Sequence, residues 1–147
     1  MPIIKNSPYK PPFFLRNNHL QTILAKLKTI NDITYKRERI HMPDEDFFDL
    51  DWSYTGKNSK KVAIIVHGLG SSANSNNVFN FVRGFNNRNW DTVSINLRGC
   101  SGVPNNLFTS YHAGSIEEID LTIKHLLNKP YNEITLIGYS LGANMCL

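Results

Sequence analysis

Two stretches hold the residues whose types and spacing could do covalent chemistry. Late in the sequence, Gly138-Tyr139-Ser140-Leu141-Gly142 follows the apolar run Ile134-Thr135-Leu136-Ile137. This is a G-x-S-x-G pattern at a point where a strand would turn sharply into a helix. Such a turn holds the serine at positive φ, and flanking glycines let strand and helix approach closely enough to keep it there. The hydroxyl of Ser140 would stand in the open as a nucleophile, beside the amide of Leu141 at the start of a helix. The second stretch, His67-Gly68-Leu69-Gly70-Ser71-Ser72, follows Val62-Ala63-Ile64-Ile65-Val66. Attack by a serine on an ester carbonyl creates an oxyanion. Two amides must be aimed at it, one from the residue after the nucleophile and one from an earlier loop. Leu141 and Leu69 are the candidate donors, and Gly68, Gly138 and Gly142 are the positions where backbones must come close. His67 reads as a residue that fixes this loop rather than as the catalytic base.

Holding these groups in place requires a packed scaffold. At 147 residues, with 41% hydrophobic and 11% aromatic side chains, the chain can bury the core of one ordinary domain. The run 62–66 is apolar throughout, as in a strand buried on both faces of a parallel sheet. Val78, Phe81, Val82 and Phe85 then recur at helical spacing, and Thr92-Val93-Ser94-Ile95 forms the next strand, ending in a turn at 96–102. Ser115-Ile116-Glu117-Glu118 has the spacing of a capping box, ahead of a helix with a buried stripe of Ile116, Ile119, Ile123 and Leu126. Pro130 stops that helix, and strand 134–137 with its elbow completes a β-α-β-α-β-α run. Upstream, 38–42 and 47–54 bracket the turn Pro43-Asp44-Glu45-Asp46. They predict an antiparallel hairpin with Phe48, Leu50, Trp52 and Tyr54 facing the core and Asp49, Asp51 and Ser53 facing water. The fold class is therefore α/β, a mostly parallel sheet with an N-terminal antiparallel hairpin.

Residues 1–36 read as an N-terminal arm with a short helix, and 37–147 as the α/β portion. Pro2, Pro8, Pro11 and Pro12 keep the arm extended, packed by Phe13, Phe14 and Leu15. Over 18–28 the positions Leu20, Ile23, Leu24 and Leu27 form one helix face that suits core packing, with Asn18 as N-cap. The net charge of +4 is concentrated here: residues 1–42 carry 8 Lys/Arg against 2 Asp/Glu, whereas 43–147 carry 8 against 10. No nucleic-acid motif accompanies the basic arm, and contact with a membrane surface is not expected. Cys100 and Cys146 make neither a disulfide framework nor a zinc site. No metal is expected at the acidic cluster 44–51, whose members divide between the turn and the solvated strand face. Without a signal-peptide core or a run near the ~18 apolar residues of a membrane span, the cytoplasm is the expected compartment.

Gly68-Leu69-Gly70-Ser71-Ser72-Ala73 also satisfies G-x-G-x-x-[G/A], so a dinucleotide-binding oxidoreductase is an alternative, with Arg98 available for a 2′-phosphate. Against it, Asn96 stands where an acidic residue is expected, and the fingerprint leaves the elbow at Ser140 unexplained. Read for acyl transfer, the chain resembles the α/β-hydrolase fold, and within it family 4 of the AB hydrolases, the YheT-like esterases. The resemblance is carried by Asn18-His19-Leu20-Gln21-Thr22, Asp46-Phe47-Phe48-Asp49-Leu50-Asp51-Trp52, Arg98-Gly99-Cys100-Ser101-Gly102 and Tyr111-His112-Ala113-Gly114. It implies a serine carboxylic ester hydrolase working through an acyl-enzyme on a small-molecule ester, with no cofactor. In this fold the triad runs Ser, then Asp or Glu, then His along the chain. Here His19, His41, His67, His112 and His125 all precede Ser140. The expectation is a fold cut short after the nucleophile elbow, with base and acid supplied elsewhere or lost: a truncated gene product, one half of a split gene that a C-terminal complementing chain completes, or an excerpt of a longer protein. A catalytically inactive remnant or a binding module is the other reading.

Overall fold

The computed structural model describes residues 9–27, 33–56 and 58–147. The chain divides into two units, Met1–Asn31 and Asp32–Leu147. In the first, a 3-10 turn at Phe13–Leu15 precedes helix α1 (Asn18–Leu27). The cap is Asn17 rather than the expected Asn18: Asn17 Oδ1 accepts from His19 N at 2.9 Å and Leu20 N at 3.4 Å. Leu20, Ile23 and Leu24 do share a face, but each is exposed, as are Tyr9 and Phe13. The expected core packing of this arm is therefore absent from its described residues. A segment this short cannot enclose an interior of its own. Pro2, Pro8 and Lys28 lie outside the described residues.

The second unit carries strands β1 (Lys36–His41), β2 (Phe47–Ser53), β3 (Lys61–Val66), β4 (Asp91–Asn96) and β5 (Glu133–Gly138). Helices α2 (Asn76–Asn86), α3 (Glu117–Leu127) and α4 (Leu141–Met145) alternate with the last three. The strand order is β1-β2-β4-β3-β5. β2 runs antiparallel to β1 and to β4, while β3 is parallel to β4 and β5. Period-two alternation sorts the central strand by face. Val62, Ile64 and Val66 join Leu50, Trp52, Val93, Ile95, Ile119, Leu126 and Met145 in one core, and Ile65 joins Val78 and Val82 in another. Helices α3 and α4 thus cover one face and α2 the other. The parallel arrangement brings the loops that follow β3, β4 and β5 to one end of the sheet.

Two local expectations are corrected. β2 is not half-wet: every residue from Phe47 to Ser53 is buried, with Asp49 and Asp51 almost inaccessible. β2 lies between two strands, and its polar face is roofed by cross-strand guanidinium groups. Arg37 stands opposite Asp51 and Arg39 opposite Asp49 in the register. Arg37 Nε and Nη2 donate to Asp51 at 2.7 and 2.8 Å, and Arg39 Nε and Nη2 to Asp49 at 2.8 and 3.0 Å. Asp49 and Asp51 are thus enclosed rather than on a solvated face. These carboxylates are consumed by arginines, and no group of three metal-ligating side chains occurs among the described residues. The capping box is also absent. Ile116 occupies the N-cap of α3 and is itself exposed, while Ser115 Oγ accepts from His112 N at 2.9 Å instead. A nearer loop amide captured the hydroxyl.

Candidate active site

The elbow joins β5 to α4 at Ser140, which has φ 54° and ψ −118°. A non-glycine residue pays for such a conformation, on the order of 1–3 kcal/mol, and needs surroundings that enforce it. They are present. Tyr139 N donates to Val66 O at 3.1 Å, Gly142 N to Tyr139 O at 3.0 Å and Ala143 N to Ser140 O at 3.0 Å. A Cβ on Gly138 would run into the backbone of Gly142 and Ala143, and one on Gly142 into the carbonyls of Val66 and His67. Only glycine fits at either place, because what it would meet is backbone that cannot swing aside. Ser140 is left exposed, and its hydroxyl caps no helix amide.

The loop after β3 lies directly beside the elbow. A Cβ on Gly68 would come within 3.2 Å of Ser140 Cβ and 3.3 Å of Tyr139 O. His67 is buried, with Nδ1 2.7 Å from Gly68 O and Nε2 3.3 Å from Leu97 N. Nε2 must accept from the Leu97 amide, so the proton sits on Nδ1 and is donated to Gly68 O. Burial holds the imidazole below its ordinary pKa and favours this neutral form. The consequence lies one bond further on. Gly68 C=O and Leu69 N–H share a trans peptide and point in opposite directions. With the carbonyl held inward by His67 and by Ser71 N at 3.3 Å, the Leu69 amide is turned outward. The Gly70 amide is taken by Tyr111 Oη at 2.7 Å. Among the described residues, the amides of Leu69 and Leu141 have no hydrogen-bond acceptor. Two unoccupied donors on loops that touch at Gly68 and Ser140 are what an incipient oxyanion requires.

The remaining histidines are engaged elsewhere or lie on other elements. His125 Nε2 is 3.0 Å from Glu38 Oε1, His112 Nδ1 accepts from Gly114 N at 3.1 Å, and His41 ends β1. Among the described residues no side chain is hydrogen-bonded to the Ser140 hydroxyl. Next to the loop, a groove of about 570 Å³ runs between Gly70–Ser75 and the turn at Gly99–Gly102, lined by neutral groups including Ser71, Asn74 and Cys100.

The residues the dinucleotide reading would have used are committed otherwise. Asn96 is buried, its Oδ1 accepting from Ala73 N at 2.9 Å and its Nδ2 donating to Asp51 Oδ2 at 2.8 Å. Arg98 is buried among Asp44, Asp46, Glu117 and Glu118 and has no face to offer a phosphate. Sequence reasoning gave no role to Tyr111. The stretch Tyr111-His112-Ala113-Gly114 stood out as a signal, but nothing local says that it reaches Gly70.

Residues 61–147 match the family model for the alpha/beta hydrolase fold. The chain belongs to that family. It is 35% identical over 133 residues to YheT of Escherichia coli (strain K12), which carries the name of an esterase, covering 88% of this chain and 39% of that protein. It is 26% identical over 151 residues to an abhydrolase domain-containing protein of Dictyostelium discoideum, covering 97% of this chain and 38% of the relative. The chain spans about two fifths of the length of the curated relatives it matches. In fold it is similar to the Pyrococcus furiosus esterase Pf2001, with a TM-score of 0.64 at 23% identity over 77% of this chain and 44% of that one. No helix among the described residues is long and apolar enough to cross a membrane.

Proposed function

We propose that the chain supplies the nucleophile and the oxyanion hole of a serine carboxylic ester hydrolase acting on small-molecule esters. The observation that carries this reading is the pair of unoccupied amides, Leu69 and Leu141, flanking an exposed serine in a forced positive-φ conformation. Ser140 Oγ attacks the ester carbonyl while its proton passes to a general base. The carbonyl oxygen becomes the oxyanion held by Leu69 and Leu141; on its collapse the C–O bond to the alcohol breaks, the alcohol leaving with the proton the base had taken, and acyl-Ser140 remains. Water then hydrolyses that ester by the same sequence. The base and its orienting acid come from a complementing segment, which would pair along β5. That strand is outermost in the described sheet and only half-buried from Ile134 to Gly138. The compartment proposed is the cytoplasm.

A non-catalytic binding module is the second reading, favoured by the absence of any base on Ser140 among the described residues. Labelling with a fluorophosphonate separates the two. The 147-residue chain should label slowly, Ser140→Ala should abolish labelling, and addition of a complementing segment that carries a histidine should accelerate it. Labelling that persists in Ser140→Ala, or none at any pH, would refute the esterase reading.

A further inference from the structure

The two oxyanion donors follow different strands, Leu69 on the loop after β3 and Leu141 at the start of α4, and the distance between them depends on what ties those segments together. One segment touches both. Tyr111 Oη accepts from Gly70 N at 2.7 Å, next to the Leu69 donor. Its ring packs edge-on against His67, with centroids 6.1 Å apart at 89°. Two residues later, Ala113 O accepts from Asn144 Nδ2 at 3.0 Å, and Asn144 lies on α4, whose first residue is the Leu141 donor. Between these ends the segment is braced by its own hydrogen bonds: Gly114 N to His112 Nδ1 at 3.1 Å, Ser115 N to His112 O at 3.0 Å and His112 N to Ser115 Oγ at 2.9 Å. It belongs to the long connection between β4 and α3, which has no regular structure of its own. Connections of that length inside a compact unit are uncommon and tend to be functional.

We propose that residues 111–115 form a strut that sets the spacing of the Leu69 and Leu141 amides, with Tyr111 and Asn144 as the positioning residues at its two ends. The inference rests on the esterase reading for its purpose but not for its geometry. Tyr111 also removes the Gly70 N–H from competition, so that one amide of the loop, not two adjacent ones, faces the reacting oxygen. Gly70 has φ 62°, which glycine adopts without strain, and it is solvent-exposed, so losing the bond would release the loop without unfolding the core.

The test uses Tyr111→Phe, Asn144→Ala and the double variant of the full chain. Tyr111→Phe removes the bond from Gly70 N together with the hydroxyl's contact with Cys100, and Asn144→Ala removes the bond to Ala113 O; each should lower the maximal rate of Ser140 phosphonylation by about three- to tenfold, the range that one such bond commands. The probe's half-saturating concentration should stay unchanged, since the oxyanion forms only in the transition state. Because a strut fails when either end is cut, the double variant should lose no more than the larger single loss. Exchange of the Gly70 amide should accelerate in Asn144→Ala as well as in Tyr111→Phe. Multiplicative losses in the double variant, or a Gly70 amide unmoved by Asn144→Ala, would overturn the strut. If Ser140 is not labelled at all, the esterase reading fails, while amide exchange still decides whether the two ends are coupled.

Discussion

Replacing Arg98 by methionine removes the cation that, among the described residues, four carboxylates share. The guanidinium is buried, with Nη2 3.2 Å from Glu117 Oε2, Nε 3.6 Å from Glu118 Oε1, Nη1 3.6 Å from Asp46 Oδ2 and Nη1 also bonded to Asp44. The four partners do not count equally. Asp44 and Glu117 are 38% and 54% exposed at the side chain, and when freed they return to water with little loss. Asp46 and Glu118, at 0% and 2%, cannot do so. The three other bonds to Asp46, from Phe47 N, Asn105 Nδ2 and Asn106 N, all go to Oδ1. Among the described residues its Oδ2 has no hydrogen-bond partner. Removing one member of a buried pair costs about 3–5 kcal/mol, a large share of the ~5–15 kcal/mol that stabilises a domain. Urea denaturation followed by Trp52 and Trp90 fluorescence should therefore show Arg98→Met less stable by about 3–5 kcal/mol. Adding Glu118→Gln to that variant should recover part of the loss, because a neutral amide no longer needs the cation. A loss under about 1 kcal/mol, the scale of exposed pairs, or a double variant no better than the single, would refute the account of an enclosed cluster.

Gly142→Ala should destabilise by about 3 kcal/mol or more in the same assay, since its Cβ would meet the Val66 and His67 carbonyls and overpacking against backbone cannot relax. Stability should also carry an acid limb from His67. Burial depresses its pKa from 6.5, so the unfolded chain gains a proton before the folded one does as pH falls. That stabilisation is complete above about pH 6.5 and is lost as pH drops through the depressed folded value. His67→Asn, whose amide can still reach the Gly68 carbonyl, should flatten this limb in a pH series of unfolding free energies, and an unchanged slope would contradict it. Finally, β5 is paired on one side only in the described sheet, and an apolar strand edge is a template for association. Sedimentation of the 147-residue chain should show concentration-dependent self-association, and a strictly monomeric boundary at all concentrations would count against an open edge.

Much of the elbow was legible from local pattern. Gly138-Tyr139-Ser140-Leu141-Gly142 after an apolar run implies a strained serine between close-packed backbones, and the φ of 54° with glycines that admit no Cβ is that geometry. The buried character of Val62–Val66, the hairpin and the alternation of strands with helices follow from periodicity in the same way. These features depend on sterics and patterning within a few residues, which sequence spells out directly. Tertiary structure decided the rest. Asp49 and Asp51 alternate as a solvated face would, yet the strand order places β2 inside the sheet and the register sets Arg39 and Arg37 across from them. Arg98 joins residues of the β1–β2 turn to the start of α3, and Tyr111 reaches Gly70 across 41 positions. Hydrophobic spacing says which residues leave water but not which polar groups meet once they have left. That choice belongs to strand order and register, where a buried charge stays only if the fold delivers its partner.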